Sequence, residues 1–107
     1  MTSTEQKVAL VTGASRGIGR AIALQMAVDG FAVVVNYAGN TALAEEAVAD
    51  IEAKGGRALA VQADIADADA VARLFEQTLA TFGRLDVVVN NAGMMQMAKM
   101  TSDNVGI

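Results

Sequence analysis

A chain of 107 residues with eight basic and twelve acidic side chains carries a net charge of −4, which argues against a nucleic-acid surface. It contains no cysteine and no histidine, so disulfides, thiolate metal sites, a cysteine nucleophile and the usual imidazole base are excluded, and no metal site is expected. Hydrophobic residues make up 53% and charged residues 19%, a balance that suits a single domain built on a sheet buried on both faces.

The segment Met1 to Gln6 is polar and lacks a basic-then-apolar signal pattern, and charged or polar residues interrupt every apolar stretch before it reaches membrane-spanning length. The expected compartment is the cytoplasm. The run Lys7–Thr12 reads as a buried strand. It feeds a glycine-rich turn, Thr12-Gly13-Ala14-Ser15-Arg16-Gly17-Ile18-Gly19, which opens a helix. Free backbone N–H groups at the positive end of a helix dipole hold phosphate in that geometry. Ile18, Ala21, Ile22 and Met26 form one face of this helix, and Asp29-Gly30 ends it.

A second strand spans Ala32–Asn36. A second helix follows, with Thr41 as the expected N-cap, the stripe Ala44, Ala47, Val48 and Ile51, and Gly55-Gly56 as the exit. Ala58–Gln62 is the third strand. Asp67 is the expected N-cap of a third helix, whose stripe is Val71, Leu74, Phe75, Thr78, Leu79 and Phe82, with Gly83 as its stop. Asp86–Asn90 is the fourth strand. The tail carries Met94, Met95, Met97 and Met100. These suit either the start of a pocket for an apolar substrate or ordinary core filling, and both readings stay open.

Strands alternating with helices imply right-handed βαβ units and a doubly wound, Rossmann-like α/β fold with a parallel sheet of strand order 3-2-1-4. The switch point lies between the first and fourth strands. The apolar strand Val87–Asn90 would form an unguarded edge, which predicts that the natural chain continues and that residues 1–107 are the first part of a single domain.

The glycine spacing, Gly-x3-Gly-x-Gly at 13, 17 and 19, differs from the general G-x-G-x-x-G fingerprint. Three further features stand in register with it: Val33-Val34-Val35-Asn36-Tyr37, Ala63-Asp64-Ile65 and Asn90-Asn91-Ala92-Gly93. Together these resemble the short-chain dehydrogenase/reductase family, and within it the 3-oxoacyl-carrier-protein reductase-like members, from residue 6 to about residue 100. The resemblance implies that Gly13, Gly17 and Gly19 let the backbone approach a pyrophosphate, with Ser15 and Ile18 lending contacts. It implies that Asn36 and Tyr37 sit at the adenosine ribose, that Asp64 and Ile65 hold the adenine, and that Asn90, Asn91, Ala92 and Gly93 support the cofactor ribose and brace the sheet. A homo-oligomer acting on a small carbonyl or alcohol also follows from the resemblance.

Sites that prefer NAD place Asp or Glu at the end of the second strand. Asn36 at that position cannot repel a 2′-phosphate, and Arg16 offers a guanidinium suited to one, so NADP(H) is the expected cofactor. The family's catalytic tyrosine and the lysine four residues after it have no match. The sole tyrosine is Tyr37, followed four residues on by Thr41, and no lysine has a tyrosine four residues before it. No catalytic residue can be assigned, and these residues are expected to be inactive alone. Two alternatives stay open: a non-catalytic dinucleotide-binding module, and a truncated fragment that self-associates through its exposed strand.

Overall fold

The structure is a computed structural model and describes residues 6–91. Ala92, Gly93 and the methionines from Met94 onward lie outside the described residues. The elements run β1 (Val8–Val11), α1 (Gly17–Val28), β2 (Ala32–Tyr37), α2 (Thr41–Ala53), β3 (Ala58–Gln62), α3 (Ala68–Phe82) and β4 (Val87–Val89). All strand pairs are parallel, in the order β3-β2-β1-β4. The expected strand order and fold class are those observed.

The continuous apolar runs follow from two buried faces. Successive side chains of a strand point to opposite sides, so each strand feeds two cores. Val11, Val33 and Val35 pack with Ala23, Ala44, Ala47 and Ile51 on the side of α1 and α2. Val8, Leu10, Val34 and Val61 pack with Ala70 and Leu74 on the side of α3. Thr78, buried in α3, satisfies its hydroxyl by donating to Leu74 O at 2.8 Å.

Charges tie the frame together at its margins. Arg20 on α1 bridges to Glu46 at 3.1 Å and to Asp50, both on α2, and the two carboxylates hold its guanidinium above its ordinary pKa. At the start of β4, Arg84 and the Val8 N–H both bond Asp86, and they hold its carboxyl below the usual carboxylate range.

Three expectations are corrected. The N-cap of α2 is Asn40, whose side chain accepts from Leu43 N at 3.0 Å, and Thr41 is the first helical residue. Ile18 belongs to no buried face: it is 68% exposed, and in the first turn of α1 it is Gly19 that is buried, against Gly13 and Asn91. The stripe on α3 is wider than the surface it covers. Leu74 and Thr78 are buried, whereas Phe75 and Leu79 are exposed.

Candidate functional site

The C-terminal ends of β2 and β4 flank the glycine turn that links β1 to α1. Two glycines make the turn possible. Gly13 and Gly17 adopt φ of 59° and 63°, a left-handed backbone that a side chain disfavours. A third acts through close approach. A Cβ on Gly19 would fall inside contact distance of Gly13 O and Asn91 Nδ2, and 2.9 Å from the Gly13 carbonyl carbon.

The turn is gripped from both neighbouring strands. On the β4 side, Thr12 N donates to Val89 O at 3.0 Å, Thr12 Oγ1 donates to Asn90 Oδ1 at 3.2 Å, and Asn91 Nδ2 donates to Gly13 O at 3.0 Å. On the β2 side, Ala14 N donates to Asn36 O at 2.8 Å, and Gly13 N donates to Asn36 Oδ1 at 3.3 Å. The backbone thus enters the helix on a fixed path.

Helix α1 begins differently from the other two. Asn40 caps α2 and Asp67 caps α3 with side-chain oxygens, but Arg16, at the N-cap of α1, makes no side-chain cap bond. The first N–H groups of a helix have no intrahelical acceptor, so the opening turn of α1 presents donors and a partial positive charge without a side-chain cap from Arg16. No acidic residue lies in that turn. Arg16 is exposed beside it and makes no ion pair among the described residues. Such an arrangement suits an anion with several oxygens.

The expected site residues fall into distinct groups. Gly13, Ser15, Arg16, Gly17, Ile18 and Gly19 make up the turn and the helix start. Asn90 and Asn91 stand at its β4 flank. Asp64 and Ile65 follow β3; the Asp64 carboxylate accepts from Ala66 N at 2.9 Å, which shapes the corner. Ile65 lines a cavity of about 220 Å³ with Leu10, Thr12, Phe75, Val88 and Asn90. The Tyr37 ring is buried, and its hydroxyl accepts from Thr41 Oγ1 at 3.2 Å.

Asn36 stands at the end of β2, as expected, with its side chain turned inward: it is 2% exposed, and its amide donates to Val61 O at 3.3 Å and to Ala63 O at 3.2 Å. The reason is the pleat: Asn36 shares its face with Val34, and the passing end of β3 closes over it. The Thr12 hydroxyl bond to Asn90 and the Asn40 cap are not among the expected features. A threonine directly before the first glycine, and an asparagine directly before a helix, were the available signals.

A four-stranded parallel sheet of order 3-2-1-4 with a glycine-lined helix N-terminus that carries no side-chain cap at its switch point defines a doubly wound, Rossmann-like α/β unit. The chain belongs to the short chain dehydrogenase family, whose description matches residues 7–105. It is 56% identical over 94 residues to a 3-oxoacyl-[acyl-carrier-protein] reductase of Synechocystis, covering 88% of this chain and 38% of that protein. It is 51% identical over 105 residues to the Staphylococcus aureus reductase of the same description, covering 92% and 43%. Among solved structures, a dehydrogenase/reductase from Sinorhizobium meliloti superposes with a TM-score of 0.78 at 45% identity, over 79% of this chain and 34% of that one. An acetoin dehydrogenase from Enterobacter cloacae gives a TM-score of 0.75 at 40% identity, over 80% and 34%. The chain therefore spans about two fifths of the length of these curated relatives. Among the described residues, no helix is long and apolar enough to cross a membrane.

Proposed function

We propose that this chain is the cofactor-binding part of an NADP(H)-dependent short-chain reductase that interconverts a carbonyl and an alcohol, with 3-oxoacyl thioesters as the substrate class its relatives suggest. The observation that carries this reading is the opening turn of α1, which has glycines at 13, 17 and 19 and no side-chain cap. The donor set fits a pyrophosphate: Gly17, Ile18 and Gly19 open α1, where the first N–H groups have no intrahelical acceptor and the dipole favours negative charge. Ser15 and Arg16 border them. Asp64 and Ile65 hold the adenine end, and Asn90, Asn91, Ala92 and Gly93 hold the ribose on the nicotinamide side.

Bound there, the nicotinamide supplies or accepts a hydride. The chain's own contribution is to hold and orient the dinucleotide at the switch point. The family's pairing of a tyrosine with a lysine four residues on is absent: Tyr37 is the only tyrosine, it is followed four residues on by Thr41, and its ring is buried at the end of β2. The chain is accordingly proposed to bind cofactor without turning substrate over by itself. The cytoplasm and a homo-oligomer of the whole enzyme complete the proposal.

Preference for NADP(H) rests on Arg16. Its exposed guanidinium beside the helix start can meet a 2′-phosphate through charge-assisted hydrogen bonds, each worth about 1.5–3 kcal/mol. The expected result of Arg16→Ala is a fall of about ten- to hundredfold in NADPH affinity, with NADH affinity changed far less, when both are titrated by nicotinamide fluorescence. An unchanged NADPH/NADH ratio would remove Arg16 from the site.

A further inference from the structure

Asn36 commits both ends of its side-chain amide beside the candidate site. Its Oδ1 accepts from Gly13 N at 3.3 Å, and its Nδ2 donates to both Val61 O and Ala63 O, at 3.3 and 3.2 Å. Its own carbonyl receives Ala14 N at 2.8 Å, and the next carbonyl, of Tyr37, receives Ala63 N at 2.9 Å. One buried amide therefore joins three chain segments: the glycine turn after β1, the end of β2, and the corner after β3. Ala63 directly precedes Asp64, so the clamp fixes the distance between the turn and the Asp64 corner.

We propose that Asn36 is a positioning residue. It holds the phosphate-cradling turn and the Ala63–Asp64 corner at one separation, so that a dinucleotide meets both at once without touching Asn36 itself. This rests on the dinucleotide reading above. An asparagine suits the task because it presents an acceptor and two donors on a short, stiff stem. Aspartate would keep the acceptor for Gly13 N but set a buried carboxylate against two carbonyls. Alanine would leave Gly13 N, Val61 O and Ala63 O without this partner and free the turn to drift. Displacements of about 1 Å in such an arrangement can cost on the order of a hundredfold.

The test measures NADPH and NADH dissociation constants for the unaltered chain, Asn36→Ala and Asn36→Ser, at a temperature where circular dichroism shows each folded. The expected result is that Asn36→Ala weakens both cofactors by the same factor, about tenfold or more, and that Asn36→Ser, whose hydroxyl keeps one donor, recovers part of the loss. Unchanged constants in a folded variant would reduce Asn36 to a purely structural role. A shifted NADPH/NADH ratio would make it a direct contact of the ribose end. Either result overturns the proposal.

A second measurement needs no variant. In hydrogen exchange followed by NMR, the Gly13 N–H and the Asn36 side-chain amide of the unaltered chain should be protected like the strand ladder. Exchange at the rate of an open loop would overturn the clamp. If the unaltered chain binds neither cofactor, the dinucleotide reading fails, and this exchange measurement alone decides whether Asn36 holds the turn.

Discussion

Gly19→Ala is expected to abolish dinucleotide binding and to destabilise the domain. The added methyl would occupy the space through which Asn91 Nδ2 bonds Gly13 O, and it would press on the Gly13 carbonyl. Both obstacles are held backbone or a tethered side chain, so relief requires the turn and the end of β4 to part. Overpacking of this kind costs about 1–3 kcal/mol or more. The loss of the cradle should weaken NADPH by at least about a hundredfold. Gly17→Ala is the informative comparison: its Cβ would meet nothing within 4 Å, and only the left-handed φ of 63° opposes it. That variant should lose about 1–2 kcal/mol from backbone strain alone. Urea denaturation with cofactor titration on the two variants checks both. If Gly19→Ala bound NADPH as tightly as the unaltered chain, the close approach would have no part in binding.

Leu74→Ala has the largest expected effect on stability. Leu74 is buried against Val8, Leu10, Val34 and Val61, and α3 is the helix that covers this face among the described residues. Truncating such a side chain costs about 2–5 kcal/mol. In a domain of this size that should lower the melting temperature by about 10 °C or more. Leu79→Ala, five residues further along the same helix, should cost less than about 1 kcal/mol, because Leu79 is half exposed. Calorimetry on both variants tests the assignment. Equal losses would mean that α3 packs by its whole apolar stripe and not by the Leu74–Thr78 face.

The contrast between Leu74 and Leu79 also shows where sequence reasoning ran out. Period 3.6 identifies an apolar stripe but not how far the opposing surface extends, and the stripe on α3 is broader than the face that β1, β2 and β3 offer. Strand order was legible because continuous valine-rich runs alternate with helical periods, and that pattern admits few topologies. The turn was legible because Gly13, Gly17 and Gly19 are positions where backbone conformation and close approach exclude other residues. Asn36 was not legible. Its role depends on β3, reached 22 residues later in sequence, passing close enough to receive two bonds. The α2 cap was misplaced by one residue because asparagine and threonine stand side by side and both can cap; only the backbone conformation of Asn40 decides.

The uncapped start of α1 is proposed to hold the phosphates of a nicotinamide dinucleotide. The most direct test is a titration of NADPH into the uniformly ¹⁵N-labelled chain, followed by amide chemical shifts. The expected result is saturable movement of the Gly17, Ile18 and Gly19 amides, accompanied by Gly13 and Ala14, with the Val28 and Lys54 amides at the far end of the sheet unmoved. Saturable shifts confined to that far end, or no shift at Gly17 to Gly19 at millimolar NADPH, would contradict it.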